Sequence, residues 1–134
     1  MDEHRFVAAD GTIDADAVTE RIDELVCKAE ADEADFSWPA APPAVDRAMD
    51  YLTAGAGQVV ALYAHLRTGG RTYPFSPDEF TALESAMNTW FRLYAACLGE
   101  RIDPDVSLRT AAEAFVDTED IVAVASTVTG VSPK

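Results

Sequence analysis

Lysine, histidine, cysteine and long apolar runs are all scarce in this sequence. The chain of 134 residues has ten basic residues, of which only two are lysines, and it has two histidines and two cysteines. No apolar run approaches the ~18 residues that a membrane-spanning helix needs. His4 and His65 lie far apart, and neither cysteine has a histidine or the other cysteine two to four residues away. The sequence therefore predicts no metal site and no cofactor.

The two cysteines and the N-terminal stretch bear on the cellular compartment. Cys27 and Cys97 both fall within apolar helical patterns, so we interpret them as reduced, buried thiols, with a disulfide or a metal site as the alternatives. The stretch MDEHRFVAADG is acidic and lacks the apolar core of a secretory signal. These features favour a cytoplasmic location.

Acidic residues are abundant, and they are unevenly distributed. The 24 Asp and Glu residues give a formal net charge of −14, whereas residues 37–101 alone carry six acidic and five basic residues. Because this charge opposes phosphate backbones, direct nucleic-acid binding is disfavoured. The lysine-poor, acid-rich composition resembles that of cytosolic proteins of extreme halophiles. A basic protein partner that covers the acidic surface is the competing explanation.

The spacing of apolar residues predicts one all-α domain over residues 1–134, an up-and-down bundle of four main helices. We place the helices at about 14–35, 44–67, 76–98 and 104–129, with the last one broken into two and with a strand over 118–129 as the alternative there. A short extended arm at 1–13 and a short extended segment at 71–75 complete the prediction.

Local signals define the second and third helices. The apolar register of the second helix continues through TAGAGQ, which favours one helix, kinked at Gly55 or Gly57. The sequence SPDE at 76–79 predicts a capping box at the start of the third helix. From residue 90 to residue 98 this helix is apolar on almost every side. Such a helix is central to its bundle or lies in a subunit interface.

One loop contains the candidate binding site for an anion or small ligand. In HLRTGGRTYPF, side chains and glycine amides could together hold a negative group, and the candidates are His65, Arg67, Gly69, Gly70 and Arg71. TGGR lacks the Gly-Lys-Ser/Thr ending of a phosphate loop, and it follows a helix rather than a strand. The alternative is that the loop only ends the preceding helix, with a glycine in the left-handed conformation.

Aromatic residues and arginine in the near-neutral middle of the chain predict a protein-contact surface. These residue types dominate contact energies where they are exposed together. The candidates are Tyr51, Tyr63, Trp90, Phe91, Arg92 and Tyr94. Trp38, in the proline-rich connector SWPAAPPA, is interpreted as a plug over the end of the bundle.

The function that the sequence favours is a non-enzymatic module for protein interaction or oligomerisation, without catalytic residues. Its partner would be another protein or a second copy of the chain. One alternative is a small enzyme or ligand-binding protein with a site around His65, Arg67 and Arg71. The other is an accessory regulator acting near nucleic acid, because DIVAVASTVTGVSPK at 120–134 resembles the first helix and turn of repressor-type helix-turn-helix proteins.

Overall fold

The computed structural model describes residues 14–67 and 73–133, and these residues are all-α with no strand. The helices are α1 (Ala15–Asp35), α2 (45–67), α3 (Pro77–Cys97), α4 (Leu108–Thr118) and α5 (Ile121–Thr129). The predicted fold class is confirmed, and the predicted broken last helix corresponds to α4 and α5. Residues 1–13 and 71–72 of the predicted extended segments lie outside the described residues, and 73–75 are not helical.

Helix α1 lies at the periphery of the bundle. Its start is capped by Asp14, whose carboxylate accepts a hydrogen bond from the Ala17 amide at 3.1 Å. Its apolar face is buried, and that face consists of Val18, Ile22, Leu25 and Ala29. Cys27 follows Leu25 by two residues, which places it on the opposite side of the helix, and it is exposed. The prediction that both thiols are buried is therefore wrong for Cys27 and correct for Cys97.

Helix α2 is continuous, and its hydrogen bonding changes from α-helical to π-helical in the middle. The α-helix Val45–Tyr51 passes into a π-helical turn, Leu52–Ala56, which passes into the α-helix Gly57–Arg67. The wide turn brings the Leu52 carbonyl oxygen to 2.7 Å from the position that a β-carbon on Gly57 would take. The sequence predicts a single helix with an irregularity at its glycines, and the structure contains such a helix.

Helix α3 is the central element and contacts both α1 and α2. The predicted capping box is present, because the Ser76 hydroxyl accepts from the Glu79 amide and the Glu79 carboxylate accepts from the Ser76 amide. Every residue from 90 to 97 except Arg92 is buried. The all-round apolar character of α3 thus reflects its position inside the bundle.

The connection between α3 and α4 is longer than predicted, since residues 104–107 are not helical and α4 begins at Leu108. The side chain of Asn88 accounts for this, because its amide donates to the Val106 carbonyl at 3.0 Å and its oxygen accepts from the Val106 amide at 2.9 Å. The Glu84 carboxylate accepts from the Leu108 amide at 2.9 Å. These bonds hold the backbone before α4 against α3.

Helix α5 replaces the strand that was the alternative for 118–129. The Asp120 carboxylate caps its first turn, and Gly130 ends it with a φ of 74°. The Tyr94 hydroxyl donates to the Val131 carbonyl at 2.7 Å, which fastens the residues after α5 to the centre of the bundle. Within the part of the chain that the structure describes, no helix combines the length and apolar character that crossing a bilayer requires.

Candidate functional site

Four of the six residues predicted to form a contact surface lie in the core instead. Trp90, Phe91 and Tyr94 have no exposed surface, and Tyr63 is 5% exposed. The prediction is wrong for these four residues, because the side chains of Tyr63 on α2 and of the other three on α3 face the interior of the bundle. The Trp90 ring packs against Gly55, and its indole nitrogen donates to an Asp32 carboxylate oxygen at 2.9 Å. These aromatic side chains therefore stabilise the fold rather than contact a partner.

The two remaining predicted contact residues, Tyr51 and Arg92, are partly exposed. Arg92 forms an ion pair with Glu33 of α1. Tyr51 lies near Phe36, with the two ring centroids 6.3 Å apart. Tyr51 belongs to an aromatic cluster at the end of the bundle where α1 leads into α2, and Arg92 borders that cluster.

This cluster is the principal exposed aromatic surface of the described residues. We call it the Trp38 patch, and it consists of Phe36, Trp38, Arg47, Tyr51 and Arg101. Trp38, which the sequence predicts as a plug over the end of the bundle, packs against neighbouring side chains there and keeps 44% of its surface exposed. The Phe36 ring meets the Trp38 ring edge-on at a centroid distance of 5.9 Å.

Two arginines lie over the rings of the Trp38 patch. The guanidinium carbon of Arg101 is 4.3 Å from the centre of the Trp38 ring, and that of Arg47 is 5.3 Å from the centre of the Phe36 ring. Arg47 also donates to the Ser37 carbonyl at 2.9 Å. Each stacked pair contributes roughly 0.5–1 kcal/mol at an exposed site. The stacking holds Trp38 in one orientation while part of its ring stays exposed.

Backbone contacts bring the separate segments of the Trp38 patch together. The Ala44 amide donates to the Cys97 carbonyl at 2.7 Å, which ties the α1–α2 connection to the end of α3. Gly99 has a φ of 89°, and a β-carbon on it would lie 3.3 Å from Pro42. A glycine at this position lets the chain turn close to Pro42. Arg101, two residues later, then lies over Trp38.

Within residues 14–67 and 73–133, no carboxylate forms an ion pair with the arginines of the Trp38 patch. Ion pairs between described residues join Arg21 to Glu24, Lys28 to Asp32 and Arg92 to Glu33. Neither Arg47 nor Arg101 takes part in them. The chain has 24 acidic residues, but these two guanidinium groups contact aromatic rings instead. Each guanidinium group has five N–H donors, and those at its edge point away from the ring that it covers.

The predicted anion site is only partly described. Gly69, Gly70 and Arg71 lie outside the described residues, so the structure does not test whether they converge. His65 is half-buried on α2. Arg67 is exposed, and its guanidinium carbon lies 5.9 Å from the centre of the Tyr63 ring.

Arg67 borders a surface groove between α2 and α4. We call this the α2–α4 groove, and its lining consists of Tyr63, Ala64, Arg67, Arg109, Ala112, Glu113, Val116 and Asp117. Val116 is 55% exposed, whereas the smaller apolar side chain of Ala112 is 6% exposed. The groove thus combines an apolar floor with two basic and two acidic side chains at its edges.

Burial favours the neutral forms of Cys97 and Tyr73. Burial raises the pKa of the Cys97 thiol, with Arg47 acting in the opposite direction. A protonated thiol is a poor nucleophile. Burial and the hydrogen bond to Glu79 raise the pKa of Tyr73, whose hydroxyl donates to both carboxylate oxygens of Glu79 at 3.1 and 2.9 Å. These groups serve packing and capping.

Sequence reasoning missed Trp38, Phe36, Arg47 and Arg101 as surface residues. A tryptophan two residues after a phenylalanine, in a proline-rich connector, is the signal that points to an aromatic cluster outside the helices. Across residues 14–67 and 73–133, no three His, Cys, Asp or Glu side chains are grouped so that they could hold a metal ion.

A protein-family model matches most of the chain. The model carries the description Domain of unknown function (DUF8055), and it matches residues 16–133, which include nearly all of the described helices. No curated protein and no solved structure matches the chain.

Proposed function

Because this chain belongs to the family described as Domain of unknown function (DUF8055), we propose its function from its own surface. The protein is a non-enzymatic interaction module that binds another protein through the Trp38 patch. The observation that carries the proposal is the exposed Trp38 ring, fixed under Arg101 at 4.3 Å beside the Phe36–Arg47 pair.

Residue type and exposure support this proposal. Trp38 and Val116 are the large apolar side chains that are exposed among the described residues. Tryptophan, tyrosine and arginine are the residues most enriched at the energetic centres of protein interfaces, and the Trp38 patch contains all three. An exposed tryptophan also offers a large apolar area, which a partner would remove from water.

The geometry of the Trp38 patch favours binding because it is already ordered. Trp38 contacts the Phe36 ring on one side and Arg101 on another, so its conformational freedom is restricted before a partner arrives. Binding then loses less side-chain entropy than it would with a free tryptophan. A small cleft continues from the patch, and its further lining is Arg92, Ala96, Glu100 and Ile102.

The charge around the Trp38 patch also supports contact with a protein. Four of its five residues belong to segment 37–101, which is almost neutral, whereas α1 carries an exposed acidic face. The five residues of the patch include two arginines and no acidic residue, so an acidic partner is repelled less by them than by the exposed acidic face of α1. Stacked guanidinium groups can donate hydrogen bonds at the rim of the contact while the aromatic rings are covered.

Affinity capture from the native cell extract, at the salt concentration of that cell, tests the proposal. The wild-type chain is expected to retain a partner that the Trp38→Ala variant fails to retain. Val116→Ala is the matched control, since it shortens the other large exposed apolar side chain and should leave capture unchanged. If Trp38→Ala retains every protein that the wild type retains, the Trp38 patch is not the contact surface.

A further inference from the structure

We draw no further inference here: the strongest candidate, the small cleft that adjoins the Trp38 patch, is lined by Arg101 and Glu100, which carry opposite charges and take part in none of the ion pairs between described residues, and nothing in the structure shows what covers it.

Discussion

The Trp90 ring occupies the space that a side chain on Gly55 would need. A β-carbon built on Gly55 would lie 2.5 Å from two atoms of the ring, well inside van der Waals contact. Gly55 lies in the π-helical turn of α2, and Trp90 lies in the middle of α3 with no exposed surface. The close approach of these two helices therefore depends on a glycine at this position.

The Gly55→Ala variant should be less stable than the wild type by about 1–3 kcal/mol, because the rigid indole ring has no free space into which it can move. The gain in helix propensity, about 1 kcal/mol, offsets only part of this cost. Chemical denaturation measures the difference. In a Trp90→Leu background the same substitution should cost much less, and an equal cost in both backgrounds would show that the ring is not the obstacle.

The two thiols should react very differently in the folded protein. Cys27 is exposed, whereas Cys97 is buried and its pKa is raised by that burial. Iodoacetamide at mildly alkaline pH should therefore label Cys27 alone, and both thiols should react after denaturation. Peptide mapping by mass spectrometry identifies the labelled residue. Equal labelling rates in the native protein would contradict the burial of Cys97.

Ionisation of Tyr94 should destabilise the fold at high pH. Burial raises the pKa of Tyr94 above the ordinary tyrosine value of about 10, with the Ser126 hydroxyl acting in the opposite direction. The folded state thus favours the neutral phenol, so this contribution to stability is complete below about pH 10 and is lost as the pH rises through the folded pKa. The free energy of unfolding of Tyr94→Phe should fall less steeply above that pH. A slope identical to that of the wild type would contradict the assignment.

Tyr94→Phe should also lower stability at neutral pH, since it removes the hydrogen bond to the Val131 carbonyl. The expected loss is about 1–3 kcal/mol, because the carbonyl is left without this buried donor. Urea denaturation at pH 7 measures it.

Tryptophan fluorescence should separate the exposed and the buried ring. Trp38 is 44% exposed, and Trp90 is fully buried with its nitrogen bonded to Asp32. The Trp38→Phe variant should therefore emit at shorter wavelength than the wild type and resist quenching by acrylamide. Strong quenching of that variant would show that Trp90 is not enclosed.

The helices could largely be predicted from the sequence because their signals are local. The pattern SPDE at 76–79 specifies a capping box within four residues, and the apolar spacing of α1 identifies its buried face. The connection before α4 could not be predicted in the same way. It depends on Asn88 bonding to Val106, which lies 18 residues later in the chain.

The candidate surface could not be predicted because it depends on which helix face its neighbours cover. The sequence around Trp90 fits a central helix or an interface equally well, and only the packing of α1 and α2 distinguishes them. Trp38 lies in a connector without periodicity, so the spacing of apolar residues does not show whether its ring is exposed or covered. Arg101 approaches it from a segment more than sixty residues away.

Calorimetric titration of a purified captured partner with the wild type and with Trp38→Ala tests the central claim most directly. If the Trp38 patch is the contact surface, the variant should bind at least about thirtyfold more weakly, as expected when an interface loses a tryptophan worth about 2 kcal/mol or more. Val116→Ala should bind as the wild type does. Equal affinities of the wild type and Trp38→Ala would contradict the account.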